Sequence, residues 1–190
     1  MYEPLNDPRE LRRVLECAIG RFNADDAKVL LRPGKNTGGP NEPAIGTQLV
    51  VRLVDSLRTF GVPNYVYASG TYNRFGNDLK LIYRMEEYRR EIEAAGRELR
   101  VDGSLSIYPD IIVHEFGSAG PNYLVIELKK DSNATDALVR MDRIKLSCMT
   151  SNNRQLRYVL GAEIRAHDCA DESDRKLEIR SVWRDGKEVA

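Results

Sequence analysis

The chain has 190 residues, 42% of them hydrophobic and 31% charged, a balance that fits one folded domain with a single core and excludes a disordered chain. Twenty-nine basic residues against 29 acidic ones exclude a strongly basic protein that grips nucleic acid by bulk charge, although a local basic stripe can coexist with a neutral total. Three cysteines, Cys17, Cys148 and Cys169, are odd in number and lack CxxC spacing, so they read as reduced thiols of a cytoplasmic chain, neither a disulfide framework nor a zinc site. No apolar run approaches the ~20 residues of a membrane span, and no basic-then-apolar leader opens the chain.

The first segment, Asn6 to Phe22, predicts a helix: Asn6 or Asp7 caps it, Pro8 suits its first turn, and Leu11, Val14, Leu15, Ala18, Ile19 and Phe22 make one apolar stripe. A shorter helix is expected from Asp25 to Leu31. Pro33 to Pro40, rich in Gly, Pro and Asn, reads as a loop, either a plain connector or a segment that closes over a ligand. The strongest helical pattern spans 42–60, with Asn41 as cap and Ile45, Leu49, Leu53, Leu57 and Phe60 at helical spacing. Glu42 stands at the start of that stripe. A carboxylate aimed at the packed side needs a partner or a metal; the plainer alternative is that it favours the helix dipole.

Tyr65 to Ala68 is a strand candidate and Tyr72 to Asp78 a turn. Residues 84–99 predict a charged amphipathic helix with Met85, Tyr88, Ile92, Ala95 and Leu99 on one face and Glu86/Arg90 and Glu93/Arg97 as i,i+4 pairs. Strands follow at Ser106 to Phe116 and Tyr123 to Lys130, a helix over about 136–149, and strands at Arg157 to Arg165 and Lys176 to Arg184.

The chemistry concentrates in Tyr108-Pro109-Asp110-Ile111-Ile112-Val113-His114-Glu115-Phe116 and Tyr123-Leu124-Val125-Ile126-Glu127-Leu128-Lys129-Lys130. Two apolar strands around a Gly/Pro/Asn turn predict an antiparallel hairpin. A four-residue loop between Phe116 and Pro121 sets Asp110 opposite Glu127, and period two puts Lys129 on the same face. Two carboxylates among Ile, Val and Leu repel each other and lose solvent unless a cation joins them. A hard divalent ion, Mg²⁺ or Mn²⁺, suits them, with the Leu128 carbonyl as a further ligand. Lys129 is placed to orient the attacking water and to stabilise charge on a phosphate.

These residues resemble the signature of the PD-(D/E)XK nuclease superfamily: Pro109-Asp110 supplies its first half and Glu127-Leu128-Lys129 its second. A closer likeness to small phage- and plasmid-type members rests on Asn41-Glu42-Pro43-Ala44-Ile45, Tyr72-Asn73-Arg74, Asp110-Ile111-Ile112-Val113-His114 and Asp142-Arg143-Ile144-Lys145-Leu146. The resemblance implies an α/β fold with a restriction-endonuclease-like core, a central mixed β-sheet flanked by helices, and an extra N-terminal helical segment. The whole chain is then one domain: an extension over 1–40, a core over 42–165, and a strand extension over 166–190. It implies metal-dependent hydrolysis of DNA, with RNA in place of DNA left open, no membrane partner, and a homodimer left open. Glu42 takes the place of a helix-borne acidic residue, a ligand acting through water. The alternative is a catalytically silent domain of the same fold that binds nucleic acid or a protein. His114, on the Asp110 face by period two, is a substrate contact or a structural histidine. Asp142 and Lys145 either face the site or pair in solvent. Lys130, Arg74 and Lys80 are phosphate-contact candidates.

Overall fold

A computed structural model describes residues 3–33, 41–70, 74–75, 78–79, 81–83, 85–115, 121–152, 154 and 156–189. Its helices are α1 (Pro8–Asp25), α2 (Ala27–Leu30), α3 (Glu42–Thr59), α4 (Arg89–Ala94) and α5 (Asp136–Thr150). Its strands are β1 (Val66–Gly70), β2 (Arg74–Phe75), β3 (Asp78–Leu79), β4 (Leu81–Ile82), β5 (Leu105–Ser106), β6 (Ile111–Glu115), β7 (Asn122–Lys130), β8 (Leu160–His167), β9 (Lys176–Arg184) and β10 (Lys187–Val189). Of the sequence expectations, Gly34 to Pro40, Lys80, residues 72–73 and 76–77 of the expected turn, residues 116–120 and the Arg74 side chain lie outside the described residues.

The fold is α/β, built on a mixed six-stranded sheet in the order β1-β6-β7-β8-β9-β10. β1, β6 and β7 form an antiparallel meander, and α5 then carries the chain across to β8, which runs parallel to β7. Two cores sandwich the sheet. On one face Leu11, Leu15 and Phe22 of α1 and Ile45, Leu49 and Leu53 of α3 pack against Leu124, Ile126 and Leu128. On the other, Met141, Leu146 and Met149 of α5 pack with Met85, Ile92 and Leu105 against Ile112 and Val125. The alternation of β7 is what divides its side chains between these layers. The segments expected as extensions share the body: α1 lies in the first core, and β9 continues the sheet beyond β8.

Both long N-terminal helices begin where their caps predict. Asp7 accepts the Arg9 N–H at 2.9 Å, and Asn41 accepts that of Ala44 at 3.0 Å. Several elements differ from the sequence expectation. The helix expected over 84–99 is a 3₁₀ turn, Glu86–Tyr88, running into the short α4. It closes where Gly96 turns left-handed (φ +68°) and the Arg97 N–H reaches back to the Ile92 carbonyl. In the 3₁₀ turn residues three apart eclipse, so Glu86 pairs with Arg89 and not with Arg90, while Arg89 also approaches Glu93. The strand expected over 106–116 is split into β5 and β6, since Pro109 has no N–H for a ladder. The strand expected from Arg157 begins at Leu160, because Arg157 is left-handed (φ 45°). β10 is an addition, paired with β9 through a two-residue Asp185-Gly186 turn with both φ positive. Among the described residues, no helix is long and apolar enough to cross a membrane.

Candidate active site

The hairpin register follows from its apolar alternation. Ile111 pairs with Ile126, Ile112 with Val125, and Val113 with Leu124. One step further, that register sets Asp110 against Glu127, on the face that α5 covers. Asp110 stands just before β6, where the chain turns out of Pro109, and its Oδ2 accepts the N–H of Leu128 at 2.8 Å. Leu128, expected to offer its carbonyl, thus meets Asp110 through its N–H.

Three elements converge on this end of β7. From β7 come Glu127, 2% exposed, and Lys129. From α5 come Asp142 and Lys145, exposed by 6% and 5%. From the start of α3 comes Glu42, whose Oε1 accepts the Lys130 N–H at 3.0 Å and whose Oε2 lies 3.6 Å from Lys129 Nζ. The stripe that docks α3 on the first core therefore aims its first acidic residue at the strand end. Lys129 Nζ lies 3.4 Å from Asp142 Oδ2, while Lys145 Nζ lies 2.7 Å from both Asp142 Oδ1 and Glu127 Oε2. Of the two alternatives for Asp142 and Lys145, facing the site is the one observed.

The electrostatics are those of a site short of positive charge. Burial pushes the Glu127 carboxyl well above the ordinary glutamate range, helped by Asp142 and Asp110 and opposed by Lys145. Burial likewise raises Asp110, against the Leu128 N–H and Lys145. Burial disfavours the Lys129 ammonium, yet Asp142, Glu42 and Asp110 together outweigh it and raise its pKa. Lys145 follows the same pattern: Glu127 and Asp142 overcome its burial and raise it. Glu127 Oε1 is buried and has no hydrogen-bond partner among the described residues, a costly state for a carboxylate oxygen.

Four carboxylates (Glu42, Asp110, Glu127, Asp142) face two ammonium groups (Lys129, Lys145). With all ionised the cluster carries two uncompensated negative charges, which either bound protons or one divalent cation would balance. Among the described residues, no three His, Cys, Asp or Glu side chains already form a metal-holding group. Mg²⁺ keeps several waters and takes only one or two carboxylates. Asp110 and Glu127, the latter through its unpartnered oxygen, fit such an ion.

The other candidates separate from this cluster. His114 keeps the Asp110 face but lies four residues up the strand, about 13 Å away at 3.3 Å per residue, beyond a bulge after Val113. There its ring packs against that of Tyr67, with centroids 4.6 Å apart and the planes tilted by 47°. Lys130 alternates to the opposite face and, 3% exposed, meets Asp168 at 3.3 Å. Burial opposes the Asp168 carboxylate, but two bonds from Ser132 and the Lys130 ammonium hold its pKa below the ordinary range. Lys130 is thus an internal counter-charge, placed by strand alternation away from the phosphate contact expected of it.

Sequence reasoning did not single out Glu163. It pairs beside Glu127 across the parallel ladder and is 2% exposed. Arg143 at 2.9 Å, Ser181 at 3.1 Å and Arg165 at 3.4 Å satisfy it, which makes it a structural carboxylate. Its signal was a charged residue alternating within Ala162-Glu163-Ile164-Arg165. No protein-family model matches the chain, and no curated protein sequence matches it.

Proposed function

We propose that the chain is a metal-dependent nuclease of the PD-(D/E)XK type that hydrolyses DNA phosphodiester bonds. The observation that carries this reading is the half-buried Asp110 facing the buried Glu127 with its unpartnered oxygen, beside Lys129, at one end of β7. The element order supports it: the resemblance implies a core of a helix, a three-strand meander, a helix and a further strand, and α3, then β1, β6 and β7 with β2–β5 and α4 inserted after β1, then α5 and β8 follow that order.

Asp110 and Glu127 would hold the cation and Glu42 would act on it through water, while Lys129 is placed to orient the attacking water and to meet charge that builds on the phosphate. A divalent ion bound there supplies Lewis acidity towards water and the phosphoryl oxygen. Asp142 positions Lys129 from the α5 side and Glu42 positions it from the α3 side, so the ammonium is held between the two layers of the fold. Cytoplasmic residence belongs to the same reading.

One observation favours a second reading, a silent domain of this fold. Lys145 already neutralises Glu127 at 2.7 Å, and the chain as a whole carries no net charge. Incubating supercoiled, linear and single-stranded DNA with Mg²⁺ or Mn²⁺ tests both, with Asp110→Ala as control. The nuclease reading expects divalent-dependent cleavage by the wild type that Asp110→Ala abolishes. No cleavage of any substrate would favour the silent domain.

A further inference from the structure

Glu127 has two carboxylate oxygens in different states. Oε2 accepts from Lys145 Nζ at 2.7 Å, while Oε1 is buried without a hydrogen-bond partner among the described residues. Both side chains are sealed from water, exposed by 7% and 2%. Among the described residues, Lys145 thus holds the one buried cation in direct contact with Glu127, the role a metal would otherwise fill. The same Nζ lies 2.7 Å from Asp142 Oδ1, three residues earlier on α5. Resting on the metal-dependent reading above, we infer that Lys145 is a resident counter-cation, which a divalent ion displaces from Glu127 and which withdraws onto Asp142.

The physical case is a competition between cations. A buried ammonium and a divalent ion at adjoining oxygens of one carboxylate repel each other strongly where water cannot screen them. A lysine without a second partner would be stranded as a buried charge when the metal arrived. Asp142 removes that cost, since it already grips Lys145 at full hydrogen-bonding distance. Asp142 also touches Lys129 through its other oxygen, at 3.4 Å. The displaced lysine therefore changes the charge around Lys129, so metal loading and the placement of Lys129 are linked through one carboxylate. The consequence for function is a site whose carboxylates stay internally paired until a divalent ion enters.

The test measures metal binding, not cleavage. Mg²⁺ is titrated calorimetrically into the wild type and Lys145→Met, and both metal-free proteins are melted. Without the competing ammonium, Lys145→Met should bind Mg²⁺ about tenfold tighter or more, yet melt lower than the wild type when metal-free. Binding by Lys145→Met alone would show that no divalent ion displaces Lys145 in the wild type, and would overturn the inference. In parallel, the ¹³Cε and ¹⁵Nζ signals of Lys145 in the wild type, assigned with Lys145→Arg, should move as Mg²⁺ saturates; this arm decides if Lys145→Met fails to fold. Equal or weaker binding by a folded Lys145→Met, or a Lys145 signal unmoved at saturation, would overturn the displacement and leave the metal site standing. If neither protein binds Mg²⁺ or Mn²⁺, the displacement and the metal-dependent reading fail together.

Discussion

Lys129 and Asp142 form an ion pair of 3.4 Å that joins the end of β7 to the middle of α5. The proposed catalytic lysine is therefore also a link between two layers of the fold, and its removal has two separable consequences. Asp142 would keep Lys145 at 2.7 Å, and Glu42 would keep the Lys130 N–H at 3.0 Å, so neither carboxylate is left bare. Lys129→Ala should thus destabilise the protein by only about 1–2 kcal/mol, below the ~3–5 kcal/mol of an orphaned buried charge. Its cleavage rate should fall by roughly 10²–10⁴-fold, as for loss of one positioned electrostatic group. Denaturant melts and single-turnover cleavage measure the two separately. Equal cleavage by both proteins would remove Lys129 from the mechanism.

Glu127 gives the metal-free protein a pH signature. Its folded pKa is raised, chiefly by burial, above the ordinary value of 4.5. Between those two values the folded state holds a proton that the unfolded chain has released. This contribution is therefore fully present below the unfolded pKa and is lost as pH rises towards the folded one. Glu127→Gln keeps the neutral form at every pH, so its stability relative to the wild type should climb as pH rises above 4.5. Urea midpoints of both proteins at several pH values, with a chelator present, measure that difference. A difference that is flat or falls with pH would show that Glu127 is held ionised by Lys145 throughout.

The hairpin site was legible because two short-range rules define it. Period two sets the face, and beside Asp110 the register is the one expected from spacing; towards the turn, past the bulge between Val113 and His114, the pairing is shifted by one residue from that expectation. Glu42 was legible because a well-capped helix with a clear stripe has a determined rotation. Asp142 and Lys145 stayed undecided for a physical reason. They lie at helical spacing with Leu138 and Met149, inside the packed arc of α5, yet a charged residue in such an arc is ordinarily at its solvent rim. Glu163 depends on which strand stands next to β7, a long-range fact that no local pattern encodes. The split of the 106–116 strand was readable at Pro109, and β10 at Asp185-Gly186, both local signals.

Glu163 and Asp110 offer a contrast between structural and functional carboxylates. Glu163 is the buried partner of Arg143, Arg165 and Ser181, and Ser181 in turn accepts the indole N–H of Trp183 at 2.9 Å. Glu163→Ala should cost about 3–5 kcal/mol, because a satisfied network loses its acceptor and leaves guanidinium charge against the sheet. Added Mg²⁺ should not rescue it preferentially. Chemical denaturation with and without Mg²⁺ checks both parts, and a loss under about 1 kcal/mol would contradict the assignment.

The metal itself should act on stability and on protons together. A ligand that binds only the folded state stabilises it by about 2.7 kcal/mol at a hundredfold excess over Kd. Asp110 and Glu127 both have raised pKa values, so a cation that binds their charged forms must expel protons that they hold. Mg²⁺ should therefore raise the melting temperature less as the pH falls towards the raised pKa values of these carboxyls, where protons compete for the same oxygens. It should also release protons, read as a dependence of the calorimetric heat on the ionisation enthalpy of the buffer. In Asp110→Ala one ligand is gone, and most of the melting shift and of the proton release should go with it. Glu163→Gln lies outside the pair and should keep both. A shift of equal size in wild type and Asp110→Ala would mean that Mg²⁺ acts elsewhere on the protein.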